Sequence, residues 1–376
     1  MTDSSARSVL PLFPHTSATT VLTSLQIGRG LAAMFVVLFH LNNSVWSEAK
    51  YFPHPFSPLL SFGNAGVQFF FVLSGFIIYL VHARDIGVPD RLKTFALKRF
   101  VRIYPTYWLV LAVFIVVLSV EPFWGTADQR RLGNLVASVL LIPSPVEPIL
   151  SVAWTLKHEV MFYTIFAVAI VNATTGLWLF AIWQLACIGN VLFGSNGFPS
   201  AMILSANNLL FAFGLFAAYL FRRQRCPAPG VFAVSGAALF LATGLHQVFA
   251  TDPLPADVYV LSFGLASAVA ILGACSYERR FGLNAPRWFA VIGDASYSIY
   301  LVHLPLLSIF TKVLFTSGLA TRLPEWTSML LLFSVAIAGG IVVSKTIEMP
   351  LVALLGKAMF GKARRSRAQA ALHSPD

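Results

Sequence analysis

The chain has 376 residues, of which 57% are hydrophobic and only 11% charged, with a net charge of +11 and a mean hydropathy of +0.76. A soluble domain carries about 25% charged residues, so a water-soluble globular fold is excluded. The positive charge does not mark a nucleic-acid binder, because the basic residues stand between apolar stretches, where they act as topogenic charges.

In chain order, residues 1–24 read as a cytoplasmic tail rich in Ser and Thr. Its apolar run Val9–Phe13 is short and broken by Pro11, unlike a signal-peptide core. Ten apolar stretches follow, at about 25–45, 59–81, 103–120, 154–171, 176–193, 203–221, 230–249, 258–276, 291–315 and 327–347. Each is close to the roughly 20 residues that a helix needs to cross a bilayer. They lack the alternation of barrel strands, so the predicted class is all-α, a polytopic membrane protein. Leu132–Ile142 is apolar but too short to cross, and reads as a re-entrant or interfacial segment packed on protein. Residues 351–376 read as an interfacial helix and a basic tail, leaving 25–350 as one membrane domain.

Basic residues set the orientation. Arg84, Arg91, Lys93, Lys98, Arg99 and Arg102 follow the second span, Arg222, Arg223 and Arg225 the sixth, and Arg279, Arg280 and Arg287 the eighth. With ten spans, all of these and the C-terminal cations share one side. The positive-inside rule makes that side the cytoplasm, with both termini there. Cys187, Cys226 and Cys275 show no metal or pairing pattern and read as packing residues.

The first span holds Arg29 and, eleven residues on, His40. On a helix that separation is about three turns, so both side chains point the same way, roughly 16 Å apart along the axis. An ionisable residue near the bilayer centre costs about 2.5–3.5 kcal/mol and usually faces a protein interior or a wet cavity. Each residue taken alone also fits a plainer role, a snorkelling anchor for Arg29 and an interfacial hydrogen bond for His40.

Glu159 is read as the carboxylate well inside a span, at a depth similar to His40. It fits either an ion pair with Lys157 or another buried cation, or a partner that orients an imidazole. His158, its neighbour, points about 100° away. His303 lies in mid-span, three residues after Tyr300, and fits an interhelical hydrogen bond as well as a substrate contact. Lys98, Arg99 and Arg102 precede Pro105, which predicts a span starting there. As clustered cations on the side of Arg29 they fit topology alone or a phosphate site. Ser74 and Gly75 read as close-packing residues, since no Gly-x-Ser-x-Gly motif surrounds Ser74. No Walker motif, dinucleotide fingerprint or metal-ligand spacing occurs, so neither a metal nor a tightly bound cofactor is expected.

Five motifs occur in a familiar order. They are Arg29-x10-His40, Phe70–Phe76, Lys98–Trp108, Trp154-Thr155-Leu156 with Glu159, Phe162 and Tyr163, and Tyr297–His303. From about residue 25 to Leu351 the chain resembles acyltransferase family three, the bacterial integral membrane acyltransferases that modify exopolysaccharide, lipopolysaccharide O-antigen and related glycans. The fourth motif looks closest to the exopolysaccharide-acetylating branch. One departure is Gln26-Ile27-Gly28, where the family usually has Asp or a similar residue.

The resemblance implies transfer of an acyl group, acetyl from acetyl-CoA in the first instance, to a sugar hydroxyl at a bacterial inner membrane. The partners it implies are acyl-CoA as co-substrate, a glycan or lipid-linked sugar acceptor, and membrane lipids. The family's Arg and His map onto Arg29 and His40, its basic motif onto Arg99 and Arg102, and its acidic position onto Glu159. The expected roles are phosphate binding by Arg29, Arg99 and Arg102, general-base catalysis by His40 with Glu159 orienting it, and substrate contacts from Trp154, Tyr163, Tyr300 and His303. A transient acyl-imidazole on His40 is an alternative chemistry. The rival reading from another class is a transporter or flippase for a lipid-linked sugar or anionic solute, which also explains ten spans with buried ionisable residues.

Overall fold

The computed structural model describes residues 22–45, 51–52, 54–120, 126–194 and 197–359. Residues 1–21 and 360–376, which hold most of the two expected tails, lie outside the described residues. The helices are α1 (Thr23–His40), α2 (Ala65–His82), α3 (Leu92–Val120), α4 (Leu132–Leu140), α5 (Trp154–Val171), α6 (Ala173–Phe193), α7 (Ser200–Ile203), α8 (Leu209–Arg222), α9 (Pro229–Phe249), α10 (Ala256–Phe281), α11 (Arg287–Thr316) and α12 (Glu325–Val343). No strand occurs among the described residues. With their flanking turns, ten helical segments are long and apolar enough to cross a membrane, the number and order that hydropathy predicts. The protein is an all-α, multi-pass membrane protein.

Its surface is inverted relative to a soluble protein. Leu177, Trp178, Val231, Val234 and Phe216 are exposed, whereas Asn42, His303, Asn208 and Glu348 are buried. Lipid is as apolar as leucine, so burial of apolar area cannot by itself hold the helices together. Close backbone approach contributes instead. α2 and α8 meet at Gly75 and Gly214. A Cβ on Gly75 would stand 2.3 Å from Phe211 O, and one on Gly214 would stand 1.9 Å from Val72 O. Neither backbone oxygen can step aside, so Gly214→Ala forces the pair apart. It is expected to cost about 1–3 kcal/mol, the usual range for overpacking, read as a lower unfolding temperature in detergent. Unfolding at the wild-type temperature would show that the two helices separate without cost.

α1 lies against α11 and is fixed at its start by α10. The backbone N–H groups of Thr23 and Ser24 donate to the Glu278 carboxylate at 2.7 and 2.8 Å. This satisfies two of the orphan donors of the helix N-terminus with a negative charge, which the helix dipole also favours.

Two local expectations change, and a third takes its form. The third span does not start near Pro105, because α3 begins at Leu92 and carries Pro105 inside it. Proline in a helix interior removes one N–H donor, and the long basic approach to the span continues the same helix through it. Leu132–Ile142 forms the nine-residue α4, ended by Leu141 in a left-handed conformation. Its last carbonyls are taken by α3: Tyr107 donates to Ser138 O at 2.7 Å, Trp108 to Val139 O at 2.8 Å and Tyr104 to Leu140 O at 3.0 Å. Finally, the expected interfacial helix after residue 350 is no separate element. α12 runs through a π-helical turn, Ser344–Glu348, into helical residues 349–359. Pro350 brings no N–H of its own, and the Met349 N–H bonds back to Ser344 O, five residues earlier.

Candidate active site

α1, α2, α3, α5 and α11 enclose a cavity of about 300 Å³, the lower end of the range of about 300–1,000 Å³ usual for ligand pockets. Four cations line it: Arg29, Lys98, Arg99 and Arg102. Ser74, Glu159, Tyr163 and Tyr297 add polar groups, and the rest of the wall is largely apolar, including Val67, Phe70, Phe71, Leu156 and Ile103. Thr155 and Tyr300 also line it, with their hydroxyls 3.0 Å apart.

Each arginine is braced. Arg29 donates to Gln26 Oε1 at 3.4 Å, and Gln26 donates to Asp294 at 2.7 Å, so a carboxylate of α11 supports the first cation through one amide. That gives the Gln26 departure a local role. Arg99 donates to His82 Nε2 at 3.4 Å, while His82 Nδ1 donates to Asp85 at 2.8 Å. The same guanidinium lies over the rings of Phe95 and Tyr163, 5.9 and 5.7 Å from their centroids. Arg102 pairs with Glu348 at 2.6 Å and lies 5.1 Å from the Tyr297 ring centroid. Glu348 in turn accepts from Ser298 at 2.6 Å and from Ser344 at 3.1 Å.

Glu348, Asp294, His82 and Asp85 are participants that sequence reading passes over. Glu348 falls one residue beyond the predicted end of the tenth span, and His82 reads as a span-end residue. The available signal for Glu348 is a carboxylate directly after a long apolar run; the available signal for His82 is its i, i+3 spacing to Asp85.

Glu159 accepts from Ser74 at 3.0 Å and from the Tyr163 hydroxyl. It forms no ion pair with Lys157 among the described residues, and it does not touch His40. The neighbour of His40 is His303: His303 Nε2 lies 3.2 Å from His40 Nδ1, with ring centroids 4.9 Å apart. The place beside His40 expected for Glu159 is therefore occupied by His303. α11 runs beside α1 and sets its mid-span histidine against the last residue of α1, whereas Glu159 turns into the α2–α5 side of the cavity. His158 is held by Asn208, at 2.7 Å, and is a buried packing residue.

Their common helix face also leads to the expectation that Arg29 and His40 line one shared cavity, and the structure corrects it. Arg29 lines the cavity, but His40 does not, and neither does His303. Tyr300, one turn before His303, stands in the wall between, its ring centroid 5.9 Å from that of His303. Trp154, expected as a substrate contact, is likewise absent from the lining; its ring packs edge-on against Phe71 and His158. Tyr163 and Tyr300 do face the cavity.

Beyond His40 the chain makes a π-helical turn, Leu41–Val45. The fully buried Asn42 donates to Asn43 at 2.7 Å and accepts from the Ser57 N–H at 3.0 Å. Such turns often mark functional positions, and this one ties the His40 end of α1 to the approach of α2.

Known proteins resemble this chain over most of its length. A family model described as an acyltransferase domain matches residues 22–345. The exopolysaccharide production protein ExoZ of Rhizobium meliloti is 30% identical over 323 residues, covering 81% of this chain and 92% of the relative. The acyltransferase MdmB of Streptomyces mycarofaciens is 26% identical over 372 residues, covering 89% of this chain and 93% of the relative. The peptidoglycan O-acetyltransferase OatA of Listeria monocytogenes is 25% identical over 335 residues, covering 76% of this chain but 49% of the relative. No solved structure matches significantly. With the matched region running from the start of α1 into the π-helical turn after α12, the chain belongs to acyltransferase family three, as an integral membrane member of it.

Proposed function

We propose that this protein transfers an acyl group from acyl-CoA, acetyl-CoA in the first instance, to a hydroxyl of an exported or cell-surface glycan at the bacterial inner membrane. The observation that carries this reading is the cavity itself. Four cations gather at a pocket whose remaining wall is mostly apolar, which suits a donor with phosphates at one end and a thin acyl-pantetheine arm at the other. Arginine favours phosphates through paired, charge-assisted hydrogen bonds. ExoZ and OatA, named one for exopolysaccharide production and one for peptidoglycan O-acetylation, support a glycan acceptor.

In this reading Arg29 and Arg99 hold CoA phosphates, with Lys98 and Arg102 adding charge. To reach His40, which acts as general base, the acyl end of the donor has to displace the Tyr300 side chain from the cavity wall. The His40 imidazole takes the proton of the acceptor hydroxyl as that oxygen bonds to the carbonyl carbon. The carbon–sulfur bond then breaks, and the same proton goes to the departing thiolate. No resident cofactor takes part.

The test is transfer by purified protein in detergent, with no membrane gradient. Acyl-CoA-dependent modification of a glycan acceptor is the expected result. Hydrogen bonds to charged groups contribute about 1.5–3 kcal/mol each, so Arg29→Ala or Arg99→Ala should raise the apparent KM for acyl-CoA roughly 10- to 100-fold. Unchanged affinity in both variants would return these residues to a purely topological role. Absence of any acyl-CoA-dependent transfer would remove the proposed donor.

A further inference from the structure

The contact between His40 and His303 joins residues 263 positions apart, and its surroundings determine which nitrogens carry hydrogen. His303 is fully buried, with Nδ1 2.8 Å from Tyr300 O and 3.2 Å from Ile299 O. A carbonyl oxygen only accepts. Nδ1 of His303 therefore bears the hydrogen, and its Nε2, in the neutral ring, presents a lone pair. That lone pair faces His40 Nδ1 at 3.2 Å. His40 Nδ1 also faces a carbonyl, Val36 O, at 2.9 Å, so it too carries a hydrogen, shared between two acceptors. The opposite assignment sets a lone pair of His303 against two carbonyl oxygens and a lone pair of His40 against a third. In a neutral imidazole one nitrogen donates and the other accepts, and the partner of one decides the state of the other. His40 Nε2 is thus left unprotonated. Among the described residues no hydrogen bond reaches it, and His40 as a residue is only partly buried.

We propose that His303 is a positioning residue that holds His40 in the tautomer with hydrogen on Nδ1 and the Nε2 lone pair free to act as base. This rests on His40 being the general base. Through the reaction the Nδ1 hydrogen stays in place. The acceptor proton arrives at Nε2, the hydroxyl oxygen bonds to the acyl carbon, the carbon–sulfur bond breaks, and the proton leaves Nε2 for the thiolate. His303 gains and loses no proton; its lone pair stabilises the transient positive charge on His40, the part that a carboxylate plays in serine hydrolases.

Three substitutions separate this role from simple packing. His303→Leu removes the acceptor and is expected to lower kcat about 10- to 100-fold, a share of what a general base contributes, with the KM for acyl-CoA unchanged. His303→Gln places a carboxamide oxygen near the former Nε2 and should recover most of that loss. His303→Asn is too short to reach His40 and should stay low. Wild-type kcat in His303→Leu, equal loss in all three variants, or a change confined to KM would each overturn the proposal. A second measurement needs no variant at position 303: the ¹⁵N shifts of histidine-labelled wild-type protein, assigned by comparison with His40→Ala. Pyrrole-like Nδ1 and pyridine-like Nε2 at His40 are expected, and hydrogen on Nε2 of the neutral ring would overturn the proposal even if every His303 variant misfolds. Failure of the underlying reading looks different, since in that case His40→Ala itself keeps the wild-type rate.

Discussion

A His40→Ala protein is expected to insert, bind acyl-CoA as the wild type does, and transfer the acyl group about 10²–10⁴-fold more slowly, the usual contribution of a general base. The separation of effects follows from the layout. The cations that hold phosphates in the proposed reading line the cavity, while His40 stands outside it, against His303. Truncation to alanine also strips His303 Nε2 of its neighbour. An unsatisfied buried polar group costs about 1–3 kcal/mol, so the variant should melt somewhat lower while remaining folded at assay temperature. Initial rates with purified protein, beside a binding measurement for acyl-CoA and a size-exclusion profile, check all three parts. A folded His40→Ala protein with wild-type turnover would remove this residue from the chemistry. A slow variant that has also lost acyl-CoA affinity would show that the imidazole belongs to the donor site.

Removing Glu348 should produce the largest loss of stability. Glu348 is 2% exposed, and its carboxylate meets Arg102, Ser298 and Ser344 from three different segments. Breaking a buried ion pair by deleting one partner costs about 3–5 kcal/mol, because the other charge is left uncompensated. The lower end applies here, since the Arg102 side chain keeps 36% of its surface exposed. Glu348→Ala should therefore unfold well below the wild type. Glu348→Gln, which retains hydrogen-bonding capacity toward the two serines, should fall between. Thermal unfolding in a single detergent measures the series. Equal stability of Glu348→Ala and wild type would mean that Arg102 is solvated well enough through the cavity to need no partner.

The two residues were unequally visible. His40 is legible from its spacing to Arg29, a property of one helix and its period. Glu348 is not, because nothing near it in the chain explains why a carboxylate should be buried there; its cation lies 246 residues away on α3. The same division holds for Glu159 and His303. Both are ionisable groups in apolar stretches, and general chemistry favours the carboxylate for the imidazole-orienting contact. The fold assigns that contact to His303 instead, because α1 packs on α11 while Glu159 is engaged by Ser74 and Tyr163.

Hydropathy along the chain was enough for the number and order of the ten spans, and for the class of fold. The cost of placing backbone and charge in lipid is paid segment by segment, so that information is local. The shared motifs, read in order, were enough for the family. The pairing of partners inside the bundle was decided by the folded chain alone. Helix neighbours in lipid are chosen by close fits such as Gly75 and Gly214 across α2 and α8, and the period of a single helix shows which face is polar without showing which other helix will meet it. For that reason the cavity, the Arg102–Glu348 pair and the two facing imidazoles emerge only once α1, α2, α3, α5, α11 and the end of α12 are brought side by side.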